Sequence, residues 1–583
     1  MLLSESGGTA GLALAARLTE DSTYKVGVIE AGIYHEGDPT LLIPEFSLPG
    51  GQGNASYDWL LETIPQPGAN KRIIQQPRGK MMGGSSGLNL LAWNRASRLE
   101  YDAWSTFSDS SGWSWAGLKQ YFAKSQTIKQ GQVNPFPGVS PKQSAASFTH
   151  GSANGPINVS YNDIYSDIVP TYVKTWNNLG IQTNGDADSG TTIGTYNSRM
   201  SVDRTKGIRS YSANGYFAQS CSRPNLHVIT GAEATKILLK KISSKYTATG
   251  VTYTVGSKTF TVNASREIIL SAGTAKTPQL LELSGIGNPA LLKSVGIKSL
   301  IDLPQVGENL QEHVFSIVEF ELNPGHQTFD QLTNNQTFLA QQTALYDTNH
   351  TGWLAANDAA LAFLPFQSIA SAANQRALLA AFDSHVEAYK STPLQSVQYQ
   401  FQRDWILKGN VPITESIMFS RGLVSPAAGQ SYLTMLAGAQ HPLARGSIHI
   451  NSSVPTAPPV INGNYLDNDF DVQTILQNVK FLLKLAQAPP LSLIVKSVTP
   501  AANTSDADLI QWIRNTVSVG DHILDTAAMA TQQLGGVVDS KLIVYGTNNL
   551  RVVDASIMPF SIAAHLQSTV YAIAEKAATL ITG

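Results

Sequence analysis

"GGTAGLALAARL" (Gly7–Leu18) decides the fold. A glycine turn runs directly into Leu12, Leu14, Ala15, Ala16 and Leu18, all good helix material. That is the turn and helix of a dinucleotide-binding unit, which calls for Gly-x-Gly-x-x-Gly after a buried strand. Here the register gives Ser6, Gly8 and Gly11, so Ser6 stands where the first Gly belongs. Downstream, "YKVGVIEAG" (Tyr24–Gly32) reads as a short apolar strand, Val26 to Ile29, ending in an acid. Glu30 lies 19 residues after Gly11, the spacing expected of the carboxylate that binds ribose hydroxyls from the second strand. Gly8, Thr9, Ala10, Gly11, Glu30 and Ala31 are therefore the candidate contacts of this unit. The plainer reading is a Gly8/Gly11 pair that only packs a helix on a sheet.

Composition narrows the field. A chain of 583 residues argues for more than one domain. A net charge of −2 gives no reason to expect nucleic acid or an anionic membrane as partner. There is one cysteine, Cys221, so no intrachain disulfide can form. No stretch is long and apolar enough for a membrane span. Seven Asn-x-Ser/Thr sequons, at Asn54, Asn158, Asn263, Asn335, Asn349, Asn451 and Asn503, favour a secreted glycoprotein, although Met1-Leu2-Leu3 is too short to read as a signal peptide.

Two further regions carry fold signal. "NLHVITGAEATKILLKK" and "VTYTVGSKTFTVNASREIILSAGTAKTPQLLELSGIG" alternate apolar and polar residues between turns, as a β-meander followed by another strand and a glycine turn. The end of the chain, "LRVVDASIMPF" then "STVYAIAEKAATLI", reads as strand, turn and amphipathic helix. Between these lie stretches rich in Gln, Asn, Ser and Pro, about 110–200 and 325–500, which read as a second, sheet-containing domain.

"PRGKMMGGSSGLNLLAWNRASRLEYDAW" (Pro77–Trp104) resembles the first signature of the glucose–methanol–choline (GMC) flavin oxidoreductases, and "SAGTAKTPQLLELSGIG" (Ser271–Gly287) the second. The resemblance continues through "LPQVGENLQEH" (Leu303–His313), "NHTGWL" (Asn349–Leu354), "HPLARGSIHI" (His441–Ile450) and the C-terminal segment. It implies a mixed α/β fold in two interleaved domains. A Rossmann-like FAD-binding domain would take 1–65, 77–105, 205–320 and 505–583. A sheet-containing substrate-binding domain would take 66–76, 106–204 and 321–504. The implied cofactor is FAD, with Arg78, Gly84, Ser85 and Asn89 along it. Ala234 stands at the adenine, where the family usually has Val, and Asp554, Ala555, Gln567, Ser568 and Thr569 lie near the pyrophosphate, ribityl chain and ring. The implied substrate is an alcohol, a sugar or a polyketide, and the implied electron acceptor is oxygen or another oxidant.

Oxidising an alcohol requires removal of a proton from oxygen and a hydride from carbon. A neutral imidazole suits the first task. By resemblance, His522 in "GDHILDTAAM" is the base and His565 in "AAHLQST" its partner on the substrate oxygen. The surroundings of His522 depart from the family pattern, roughly aromatic-His-Pro-x-Gly-Thr: the chain reads Asp521-His522-Ile523-Leu524-Asp525-Thr526. Two flanking carboxylates would raise the imidazole pKa and hinder a base. Alternatively they cap a helix over "TAAMATQQL" or face solvent. Charged neighbours would instead suit acid catalysis by a non-redox cyclase or dehydratase that keeps the fold; a catalytically dead binding protein is a third reading.

The beginning also departs. The first strand is expected to be reduced to Met1–Leu3, at the centre of the sheet, and Ser6 to serve poorly in a turn needing glycine's freedom. These features imply a truncated or misassigned start, and weak FAD binding or poor folding.

Overall fold

The computed structural model describes residues 2–4, 6–48, 50–129, 154–357, 360–424 and 426–583. Met1 of the expected first strand, and 130–153 of the expected segment 106–204, lie outside them.

Two sheets organise the chain. The first is five-stranded and wholly parallel, in the order Leu226–Ile229, Val26–Ile29, Leu2–Ser4, Glu267–Leu270, Leu550–Val552. A parallel sheet is covered on both faces, so its strands are apolar runs rather than alternating ones. Val26–Ile29 is accordingly buried at every residue. The helices Thr9–Leu18 and Gln567–Thr582 pack together over this sheet, pinned by Arg17 Nε donating to the buried Glu575 carboxylate at 2.8 Å. Tyr571 of the second helix stacks between Trp93 and Tyr216.

The first strand is Leu2–Ser4, and it is central as expected, pairing with Val26–Ile29 on one side and Glu267–Leu270 on the other. The turn after it owes its glycines to space rather than to a left-handed backbone. Neither Gly7 nor Gly8 adopts a positive φ, and the turn asks for glycine through close approach instead: a Cβ on Gly7 would lie 2.9 Å from Met82 Sδ and 3.1 Å from Glu30 Cβ. Ser6 contributes a bond of its own: its Oγ accepts from Gly8 N–H at 3.0 Å.

The expected meander is present as Glu233–Ile242, Lys245–Val255 and Lys258–Asn263, an antiparallel three-stranded sheet. The second large sheet is seven-stranded. Its order is Val495–Thr499, Val314–Leu322, Tyr432–Ala439, Thr414–Phe419, Ala360–Leu364, Gly194–Asn197, with Ser518–Val519 also paired to Val314–Leu322. Val314–Leu322 runs across the expected boundary at 320, and Ser518–Val519 lies within 505–583; both belong to this second sheet. Conversely, the helix Trp115–Ser125 packs into the core of the first.

Alternation along the second sheet sets its two faces. Val314, Met418, Met435 and Ala437 face the helix Asp469–Gln487 in one core. Their neighbours Phe315, Ile417, Phe419 and Leu436 face the opposite way, into a cavity between the two sheets. Among the described residues, no helix is long and apolar enough to cross a membrane. Six of the seven sequon asparagines are exposed; Asn158, in a strand, is half-buried.

Candidate active site

A cavity of about 360 Å³ lies between the sheets. Its floor is the turn of Ser6, Gly8, Thr9 and Ala10 together with Arg78, Gly84, Ser85 and Asn89; Asp554, Ala555, His565 and Gln567 close another side. A second cavity of about 70 Å³ is lined by Glu30, Ala31 and Ala234. The two share Ser6, Trp59, Gly79, Ala272 and Lys276, so they form one trough along the end of the parallel sheet. Three candidate residues line neither cavity. Gly11 is buried within its helix, Ser568 Oγ donates to Asn94 O, and Thr569 Oγ1 bonds the Tyr101 hydroxyl at 2.9 Å.

The trough suits an extended dinucleotide. The helix Thr9–Leu18 presents its N-terminal N–H groups to it without a side-chain cap, a site that favours phosphate. The backbone of Gly84 approaches that turn so closely that a Cβ there would lie 2.9 Å from Gly8 Cα, and its φ of +50° already disfavours other residues. Glu30 accepts from Gly7 N and Gly32 N, both at 2.8 Å; burial pushes its carboxyl up to about 7 against those bonds. Asp554 is buried, accepting from Gly273 N (2.9 Å) and the Thr277 hydroxyl (2.6 Å). Ser271 Oγ, Arg78 Nη2, Gln567 Oε1 and Asp521 Oδ1 are buried polar atoms without a hydrogen-bond partner, all on residues of the larger cavity. Leaving such atoms unpaired costs free energy, and a polar ligand in the trough would relieve it.

Strand pairing places His522. Ser518–Val519 pairs with Phe315 and Val314, Gly520 N donates to His313 O at 2.8 Å, and pairing resumes at Gln311–Leu524. Between these points the chain makes an excursion, with Asp521 at φ +60°, that turns the His522 ring to the cavity. Such irregularities re-aim side chains beside functional sites. His522 N is held by the fully buried Glu312, at 2.7 Å. His565 lies in the turn before the C-terminal helix, its backbone N–H on Asn94 Oδ1 at 2.9 Å. The two rings stand edge to face with centroids 4.9 Å apart.

Each ring has a partner that the sequence did not single out. His522 Nδ1 lies 2.9 Å from His313 Nδ1, and His565 Nε2 lies 2.9 Å from Glu415 Oε1. His313 closes the stretch Leu303–His313 that resembles the family, but nothing in its spacing ties it to His522. Glu415 comes from Thr414–Phe419, a strand with no motif.

The expected effect of the flanking acids is overturned. His522 is pushed well below the ordinary histidine range by burial, with His565, His313 and Arg78 adding to the same effect. Asp525 neither caps a helix nor faces solvent, and residues 522–531 form no helix. It is fully buried, and its Oδ2 accepts from the amides of Asn309, Gln311 and Gln398. Burial drives its carboxyl well above the usual range. It occupies a φ of +76°, where the family pattern has glycine. Asp521 is raised to about 7 by burial, against the pull of Arg78, whose Nη1 donates to the Asp521 carbonyl at 2.9 Å.

Fold and site together define a two-sheet protein with a dinucleotide-type trough under an antiparallel roof and a histidine pair between them. The chain belongs to the GMC oxidoreductase family, whose models match residues 2–315 and 442–574. It is 39% identical to a dehydrogenase of Armillaria gallica, over 99% of this chain and 92% of that one. Among solved structures, an FAD-dependent oxidoreductase from Chaetomium thermophilum superposes with a TM-score of 0.89 at 28% identity, covering 100% of this chain and 98% of the other. A fungal aryl-alcohol oxidase gives 0.86 at 27% identity, covering 100% and 98%.

Proposed function

We propose that this chain is an FAD-dependent oxidoreductase that oxidises an apolar alcohol. The observation that carries the reading is the His522–His565 pair, set on the wall of the cavity beneath apolar side chains. Gly8, Thr9 and Ala10 would hold the pyrophosphate, Glu30 the ribose, Ala31 and Ala234 the adenine, and Arg78, Gly84, Ser85, Asn89, Asp554, Ala555 and Gln567 the remainder. Gly11, Ser568 and Thr569 would support that binding from behind, through backbone and packing. Bound there, the flavin supplies a hydride acceptor. His522, held neutral by burial, accepts the hydroxyl proton, and His565, backed by Glu415, holds the substrate oxygen.

Substrate choice follows from the roof. Phe315, Leu361, Ile417, Phe419, Leu436 and Val519 all present apolar surface to the cavity. An aldose would bring several hydroxyls to such a wall and leave them without partners, at roughly 1–3 kcal/mol each. An aryl or other apolar alcohol would gain from burial instead. The non-redox reading drew on carboxylates acting on His522, and Asp525 is turned away from it. The exposed sequons support secretion as a glycoprotein, which a shift in mass on deglycosylation of the native protein would test.

The experiment is anaerobic reduction of the purified, FAD-loaded protein. Aryl and long-chain alcohols are expected to bleach the flavin's visible absorbance and aldoses to leave it. Bound FAD that no alcohol bleaches would overturn the oxidoreductase reading; bleaching by aldoses alone would overturn the substrate class.

A further inference from the structure

We infer that His313 is a positioning residue that decides which nitrogen of His522 serves as the base: it keeps the His522 proton on Nδ1 and leaves Nε2 bare at the cavity. The inference rests on the oxidoreductase reading for its catalytic meaning, but its geometry stands apart from any substrate.

The backbone carbonyl of Gln440 can only accept a hydrogen bond. Ser561 Oγ–H donates to Gln440 O at 3.0 Å. A serine hydroxyl has one proton, so the same Oγ must accept from the other side. There it meets His313 Nε2 at 3.0 Å, and His313 therefore carries a proton on Nε2. His313 is fully buried beside His441 and His565, which together with burial hold it neutral. A neutral imidazole with its proton on Nε2 offers a lone pair at Nδ1. The 2.9 Å contact between His313 Nδ1 and His522 Nδ1 then needs a proton from His522. His522, also neutral, is left with an unprotonated Nε2, and among the described residues that atom has no hydrogen-bond partner.

The series runs His522, His313, Ser561, Gln440 and ends on a backbone carbonyl. It cannot pass a proton onward, so it sets polarity and is no proton wire. The same Gln440 reaches the other histidine: its Nε2 donates to Glu415 Oε2 at 2.8 Å, and Glu415 Oε1 takes His565 Nε2. Both rings are thus oriented from one residue behind the cavity. Without His313, the His522 proton could sit on either nitrogen, and the fraction of protein with a base at the cavity would fall.

The test reads the tautomer directly. In FAD-loaded protein labelled with ring-15N histidine, the His522 signals are assigned by their loss in His522→Gln. The expected result is an Nδ1–H tautomer in the unaltered protein, lost or mixed in His313→Leu and kept in His313→Asn, whose amide oxygen can stand where Nδ1 stood. Flavin reduction by a responsive alcohol should fall in His313→Leu by the same factor as the Nδ1–H share of His522, with substrate affinity unchanged and the rate largely restored in His313→Asn. An Nε2–H tautomer in the unaltered protein would overturn the inference whether or not the leucine variant folds. So would an unchanged tautomer in His313→Leu. The expected tautomers together with no reduction by any alcohol would sink the oxidoreductase reading alone.

Discussion

His565 Nε2 lies 2.9 Å from Glu415 Oε1, and the Glu415 side chain has no exposed surface. The buried side chain gives the second ring of the pair a fixed hydrogen-bond partner, which holds that ring in place where the substrate oxygen would sit. Replacing Glu415 by Gln keeps a hydrogen-bonding group of the same shape and removes the charge. A hydrogen bond to a charged group contributes about 1.5–3 kcal/mol, so kcat should fall roughly ten- to hundredfold. Anaerobic flavin reduction measures it; an unchanged rate would show that Glu415 only packs the ring.

The protonation of His522 sets the acid limb of activity. Burial and three cationic or cation-forming neighbours lower its pKa well below 6.5. A lowered pKa means the base loses its lone pair only at more acidic pH. Flavin reduction should therefore hold steady as pH falls through 6.5 and decline only below it. A limb centred at 6.5 or above would contradict this.

Asp525 acts on the fold. Its Oδ2 collects three amide donors, and Asp525→Ala would strand all three while keeping a Cβ at φ +76°. Each stranded donor costs roughly 1–3 kcal/mol, so the alanine variant should lose several kcal/mol of stability. Asp525→Gly strands the same donors but removes the backbone strain, about 1 kcal/mol, and should be the less damaged of the two. Denaturant midpoints decide the order. In both, the acid limb of flavin reduction should stay where it is.

These cases mark where the sequence could be read. Glu30, Gly8 and the C-terminal helix were legible because strand period, turn chemistry and helix period are local properties of the chain. The histidine pair was legible through long, ordered motifs. The orientation of Asp525 was not, because a carboxylate two or three residues from a histidine in sequence can point either way once the backbone leaves the extended state. His313 and Glu415 were missed for a related reason. They meet His522 and His565 through the register of an antiparallel sheet assembled from distant segments, and no spacing along the chain records that register. The turn at Gly7 and Gly8 was assigned a left-handed glycine conformation, whereas Gly8 sits at φ −77° and Gly7 is set by its close approach to Met82 and Glu30, which no local pattern records.

Glu312 offers a stability test whose sign is fixed by burial. Its carboxyl is pushed up to about 8 from an ordinary 4.5, chiefly by burial and only partly countered by Arg78. A folded-state pKa above the unfolded one means that the folded protein holds the proton more tightly. The contribution is fully present below about 4.5 and is lost as pH rises through about 8. Glu312→Gln does not titrate, and its side-chain oxygen can still accept from His522 N, as Glu312 does at 2.7 Å. Relative to the unaltered protein, the glutamine variant should therefore gain stability steadily as pH rises across that window and level off above it. Unfolding by urea at the two ends of the window, with FAD saturating both proteins, measures the difference. A constant difference across the window would mean that Glu312 keeps its charge throughout, paired to Arg78 more tightly than their 3.9 Å separation implies.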